Sequence, residues 1–187
     1  MRTLFEVYFI FLLERVTNRT MKKRRPTIPF ASWKLTIDLD RTKEIQGHKS
    51  TPAFECKCDL CMEWKLVHRE VIPAKLLNQL ARIGVDLNAP TDLYGSGAGL
   101  EDRTIRVVFH VVGKIISGPI GNSYDDQFEY DIFKYEEIRK NPPLIIRVLP
   151  EPKSNASAPT SMNRPIPGML CIDMRLDYSA GKLENRK

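Results

Sequence analysis

The sequence lacks an apolar run long enough to cross a membrane as a helix. Its most apolar stretch, residues 4–13, has about half of the roughly 20 residues that a spanning helix needs, and Glu6 interrupts it. As a signal peptide the stretch fits poorly, because Glu14 and Arg15 follow where small residues should form a cleavage site. We therefore expect neither a membrane partner nor secretion.

A broad excess of positive charge is also missing. The formal net charge is +6, but residues 1–25 hold 7 basic and 2 acidic side chains, leaving 22 basic against 21 acidic in the rest. Proteins that bind the phosphate backbone of nucleic acids need an extended basic surface. We expect no nucleic-acid partner, although the basic residues within 19–25 leave open an arm that contacts nucleic acid or a membrane surface. Residues 1–25 are predicted to be an extension outside a single domain that spans 26–187.

Dispersed cysteines, which form the framework of small secreted proteins, are absent too. Three of the 4 cysteines, Cys56, Cys58 and Cys61, lie within six residues, and Cys171 is far away in sequence. This spacing favours a reducing compartment over a set of disulfide bonds. We predict a cytoplasmic protein.

No familiar catalytic motif is present either. The glycines at 95, 97 and 99 are not followed by Gly-Lys-Ser/Thr, so a flexible loop is predicted there instead of a phosphate loop. No serine occupies a strand-turn-helix elbow, and no Cys-His-Asn order is recognisable. Among isolated candidates, His110 lies among valines in a strand pattern and is interpreted as structural, and Asp38 and Asp40 are interpreted as part of a solvated strand face.

Period-two alternation dominates what remains. Apolar and polar residues alternate in five segments, which predicts strands at 32–40, 104–116, 128–132, 144–149 and 170–178. Segments 87–103 and 150–168 have no such period, and we predict long loops there, the second of them mobile or functional. No internal repeat and no regular alternation of strands with helices is visible, which excludes a doubly wound fold.

Helical spacing appears twice. Leu60, Trp64, Val67 and Val71 predict a helix from about Asp59. A second helix is predicted after Pro73, and Gly84 stands where a left-handed cap would end it. The predicted fold class is therefore α+β: a mostly antiparallel sheet of about five strands, with two short helices packed on one face.

The cysteine cluster is the one chemically specific feature. Thiolates are soft ligands, and structural zinc prefers four cysteines or a mixture of cysteine and histidine. Cys56, Cys58 and Cys61 supply three candidates, and His48 or Cys171 is the candidate for the fourth. Two alternatives stay open: the thiols are buried structural residues, or one of them is a reactive thiolate near a helix N-terminus.

Several segments carry a resemblance to other proteins. The stretches 33–39, 54–64 and 80–86, and more loosely 109–113, resemble a group of small bacterial proteins with a Cys-x-Cys-x-x-Cys helix start and no established activity. The resemblance covers about half of the chain. It implies a self-contained soluble bacterial domain, and it assigns a role to none of these residues.

From these patterns we predict a binding or interaction protein with a protein partner, carrying a structural zinc at the cysteine cluster. The alternative is a metal- or thiol-dependent enzyme that uses Cys56, Cys58 and Cys61. The sequence leaves the identity of the partner and the oligomeric state open.

Overall fold

The computed structural model describes residues 25–96, 103–119, 123–125, 130–132, 135–154, 156–161 and 164–178. The predicted extension, apart from Arg25, and the glycines at 97 and 99 lie outside these ranges. The helices of the described part are α1 (Leu39–Ile45), α2 (Asp59–Val71) and α3 (Ala74–Arg82), with a 3₁₀ turn at Glu151–Lys153. Its strands are β1 (Thr27–Phe30), β2 (Trp33–Ile37), β3 (Asp92–Ser96), β4 (Arg103–Ser117), β5 (Ser123–Asp125), β6 (Tyr130–Ile132), β7 (Glu136–Arg139), β8 (Leu144–Pro150), β9 (Thr160–Ser161), β10 (Arg164–Pro165) and β11 (Met169–Tyr178).

One sheet of seven strands organises the described part of the chain. Its order is β1-β2-β4-β11-β8-β7, and β3 also pairs with β4. Each pairing is antiparallel, which confirms an α+β protein with an antiparallel sheet. The predicted numbers of strands and helices were too low. We predicted about five strands and two helices, and the described part has seven strands in this sheet and three helices.

The main core lies between one face of the sheet and the helices α2 and α3. Alternate residues of β4, including Ile105, Val107 and Phe109, point into it, as the period-two pattern predicts. Trp64 of α2 and Leu80 of α3 pack against these strand residues and are almost fully buried. The two helices anticipated from the sequence therefore cover the face that they were predicted to cover.

Helix α1 was not predicted from the sequence pattern. The predicted strand 32–40 ends early, because the Asp38 carboxylate accepts a hydrogen bond from the Arg41 backbone N–H (3.2 Å) and caps a helix there. Asp38 and Asp40 therefore do not share a strand face. The helix lies along the edge of β4 between β2 and β3, where Thr42 Oγ1 accepts from the Val112 N–H (3.0 Å) and the Gln46 amide donates to the His110 carbonyl (2.7 Å).

The opposite side of the sheet, called the outer face here, is formed by the alternate residues of β4, β8 and β11 that point away from the main core. Part of it is apolar, where Cys171, Val108, Leu149 and Ala156 form a small cluster. The rest is charged and aromatic. In the described part, no helix is both long and apolar enough to cross a membrane.

Candidate metal centre

The three clustered cysteines lie where a loop meets the start of α2. Backbone hydrogen bonds shape that loop, with the Cys56 N–H donating to the Ala53 carbonyl (3.3 Å). The Ala53 N–H in turn donates to the Thr91 carbonyl (3.4 Å), which ties the loop to the residue before β3. Glu55 takes a positive φ of 52°, and this turn directs the chain back towards the helix.

Helix geometry brings the thiols together. Cys58 is the residue that precedes α2 and its carbonyl accepts from the Met62 N–H (3.0 Å), so Cys61 follows within the first turn. Cys56 Sγ lies 3.3 Å from Cys58 Sγ. The sulfur atoms of Cys56, Cys58 and Cys61 are all within 4.8 Å of one another. These three residues are called the cysteine trio below.

The members of the trio differ in exposure. Cys58 is exposed and Cys56 is half-buried, whereas Cys61 is buried on the same side of α2 as Trp64. Hydrogen bonding from the Cys58 backbone and from the other two thiols lowers the pKa of Cys56. Burial, together with hydrogen bonds to Cys56 and Cys58, raises the pKa of Cys61 to about 12. Without a cation the three thiols are therefore not all deprotonated at once. A metal ion that binds them would release protons.

The two residues considered as a fourth ligand are engaged elsewhere. His48 Nδ1 lies 2.8 Å from Ser50 Oγ and accepts from the Ser50 backbone N–H (3.2 Å). Cys171 is fully buried on the outer face, where its sulfur accepts from Ser154 Oγ (3.3 Å). The structure thus assembles Cys56, Cys58 and Cys61 and leaves His48 and Cys171 outside the group, so the ligand role of all five residues stays a prediction.

The structure also limits what can complete the site. All 3 histidines and all 4 cysteines of the chain lie in the described ranges, and no histidine or fourth cysteine joins the trio there. His68, one helical turn beyond Trp64, is buried with Nε2 3.1 Å from Asn88 Oδ1. A metal at the trio would therefore have three thiolate ligands from this chain, plus one ligand of another kind or from another molecule.

A second polar cluster was missed at the sequence level. On the outer face, the fully buried Asp173 is within ion-pair distance of Arg106 (3.0 Å) and Arg147 (2.7 Å), and Arg175 and Tyr135 lie beside them. The alternation placed Arg106, Asp173 and Arg175 on polar strand faces. The register that aligns them depends on how β4, β8 and β11 pair, and a single sequence does not show it.

No protein-family model, no curated protein and no solved structure matches this chain.

Proposed function

We propose that this chain is a metal-binding interaction protein in which the cysteine trio holds one Zn²⁺. The observation that carries the proposal is the convergence of the three sulfur atoms to within 4.8 Å. Tetrahedral zinc with Zn–S bonds of about 2.3 Å requires sulfur–sulfur separations of about 3.8 Å. Shifts of about 1 Å or less in these side chains would therefore seat the ion.

Such an ion would have a structural effect. It would join the loop before α2 to the first turn of the helix, in a region where the Cys58 side chain makes no capping hydrogen bond. Metal ligation by residues close in sequence replaces weak loop contacts with strong bonds, and the binding free energy then stabilises the fold. The zinc would hold this loop against the N-terminal end of α2.

Exposed apolar side chains beside the trio support a protein partner. Met62 is 47% exposed and Leu66 is 73% exposed, and they follow Cys58 at intervals of four residues, which places all three along one side of α2. Apolar side chains next to a metal with an incomplete ligand set suit a partner that covers them and supplies a cysteine or histidine. We propose that role for the protein partner.

A metal- or thiol-dependent enzyme is the second candidate. Catalytic zinc sites keep three protein ligands and leave one position for water, and the trio offers three ligands. The 3.3 Å separation between Cys56 and Cys58 also suits reversible thiol chemistry. The two functions differ in what the metal supports, since a structural ion contributes to stability and a catalytic ion mainly to reactivity.

Metal analysis of the purified chain tests the proposal. We expect one zinc per chain, thiolate-to-cobalt charge-transfer absorption after cobalt replaces zinc, and loss of the metal together with stability in Cys58→Ser. Because Cys58 is exposed, this substitution leaves the buried packing untouched. Cys171→Ala is the control for metal content alone, since its thiol lies outside the trio, and it should retain the metal.

Three results would decide against the structural role. Metal loss in Cys58→Ser with unchanged stability would favour the enzyme. Metal retention in Cys58→Ser, or a reduced wild-type chain that binds no zinc, would exclude the trio as the metal centre.

A further inference from the structure

The cysteine trio offers three sulfur ligands and no fourth ligand of its own. No histidine, carboxylate or further cysteine of the described part joins the group, and every histidine and cysteine of the chain lies in that part. Zinc takes four ligands, so the trio alone fills only three of the positions around a zinc ion. A centre that forms three bonds and no more would find its complete ligand set in this chain.

Trivalent arsenic has this bonding pattern. It forms three bonds that are arranged as a pyramid, and its lone pair occupies the fourth direction. It is also a soft centre, and soft centres bind thiolates in preference to oxygen ligands. The number and the type of ligands in the trio therefore match trivalent arsenic without help from a partner.

The spacing of the sulfur atoms supports the same assignment. Cys56 Sγ and Cys58 Sγ are 3.3 Å apart, whereas tetrahedral zinc requires about 3.8 Å. A pyramidal centre has narrower angles between its bonds, so its three ligand atoms lie closer together than those of a tetrahedral ion with bonds of similar length. The sulfur of Cys61 lies within 4.8 Å of the other two, so a small shift of that side chain brings all three onto one centre.

The charge of the complex suits the burial of the trio. Cys61 is 7% exposed and lies on the same side of α2 as Trp64. Three thiolates around Zn²⁺ leave a net negative charge, whereas three thiolates around trivalent arsenic leave none. Because a buried charge without compensation costs free energy, the neutral complex is the better suited to this position. Cys58 is exposed and Cys56 half-buried, so a small neutral solute reaches the trio from their side.

We propose that the cysteine trio binds trivalent arsenic as a three-coordinate thiolate complex, in competition with zinc. In water at neutral pH the ion is present as As(OH)₃. At each cysteine a sulfur–arsenic bond forms, an arsenic–hydroxide bond breaks, and the thiol proton leaves with the hydroxide as water. Arsenic stays trivalent and the sulfur atoms stay reduced, so no oxidant or reductant is consumed. The proposal rests on the proposed metal-binding function of the trio, but it does not require zinc as the resident ion.

Titration of the reduced full chain with sodium arsenite tests the site. A phosphine keeps the thiols reduced, because a thiol reductant would itself bind arsenic. We expect one arsenic per chain, near-ultraviolet absorption from sulfur-to-arsenic charge transfer, and release of zinc from the zinc-loaded chain. X-ray absorption at the arsenic edge should show three sulfur neighbours and no oxygen neighbour.

Cys58→Ser distinguishes a site of three thiols from a site of two. The substitution leaves Cys56 and Cys61 in place, and we expect it to weaken arsenite binding at least about tenfold, because one sulfur–arsenic bond is lost. Phenylarsine oxide is the matched probe, since its arsenic already carries one carbon substituent and binds only two thiols. Cys58→Ser should retain binding of phenylarsine oxide. Cys171→Ala removes a thiol outside the trio and should bind one arsenite, as the wild type does.

Three results would overturn the assignment. These are equal arsenite affinity in Cys58→Ser and the wild type, an arsenic edge that shows two sulfur neighbours and an oxygen, or a zinc-loaded chain that keeps its zinc in excess arsenite. The edge measurement uses the wild-type chain, so it decides the question even if Cys58→Ser does not fold. Zinc binding without arsenite binding would refute this proposal alone, whereas a reduced chain that binds neither would also refute the metal centre.

Discussion

The burial of His110 predicts that the stability of this protein falls as the pH is lowered from about 6.5 to about 4. Its side chain is fully buried on β4, with Nδ1 2.9 Å from Thr91 Oγ1. The Thr91 hydroxyl donates to the Val108 carbonyl (2.9 Å), so its oxygen accepts from Nδ1–H and the ring carries its proton on Nδ1. Nε2 is buried and has no partner in the described part of the chain.

The size of the stability loss on acidification follows from the burial of His110. A second proton, on Nε2, would create a cation without water or a counter-ion, and burial lowers the pKa of His110 from 6.5 to about 4. Below pH 6.5 His110 is therefore protonated in the unfolded chain but stays neutral in the folded chain. The stability that neutral His110 provides is complete above pH 6.5 and is lost as the pH falls towards 4, by about 3 kcal/mol in total.

Urea unfolding at a series of pH values between 7 and 4 measures this loss. Carboxylates also titrate in that range, so the informative quantity is the difference between wild type and His110→Asn, which keeps a donor near Nδ1 and removes the titration. We expect the variant to be less stable at pH 7 but to lose about 3 kcal/mol less than the wild type on acidification. His110→Phe should flatten the curve in the same way. Parallel curves for wild type and both variants, or an NMR titration that places the His110 pKa near 6.5, would refute the reasoning.

Two further substitutions test the sheet. Asp173→Asn removes the negative charge that Arg106 and Arg147 share. Because the two arginines are then left uncompensated, we expect chemical denaturation to show a free energy of unfolding lower by about 3–5 kcal/mol. A decrease below about 1 kcal/mol would show that the ion pairs are solvated. Gly113→Ala places a Cβ 2.1 Å from the Thr36 carbonyl oxygen, so β2 must move away from β4. We expect Gly113→Ala to lower the free energy of unfolding by about 1–3 kcal/mol and to raise hydrogen exchange in β2, whereas wild-type exchange rates there would contradict the packing.

The strands with strong alternation were predictable from the sequence. The pattern at 104–116 and 170–178 corresponds to β4 and β11, because each of these strands buries one face in the main core. The helices α2 and α3 were predictable for the same reason, since their apolar residues recur at helical spacing.

Elements that depend on contacts distant in sequence were not predictable. β3 lies in a segment that we predicted to be a loop, and it becomes a strand by pairing with residues 104–108 of β4. Helix α1 has only seven residues and continues directly from an alternating run, so local pattern favoured a longer strand. In both cases a neighbouring strand edge decides the local structure.

The cysteine trio and the arginine cluster around Asp173 on the outer face differ in the same way. The cysteine trio was visible because its members lie within a span of six residues and a helix start fixes their relative positions. The arginine cluster combines Arg106, Arg147 and Arg175 from three strands, and only the register brings them together. Spacing along the chain reveals a site of the first kind and does not reveal one of the second.

X-ray absorption at the zinc edge tests the metal centre most directly. For the reduced full chain loaded with one equivalent of Zn²⁺, we predict three sulfur neighbours at about 2.3 Å and one oxygen or nitrogen neighbour. The fourth neighbour should be the only one that changes when the protein partner binds. A first shell that contains one sulfur or none, or a chain that retains no zinc with its thiols reduced, would contradict the account.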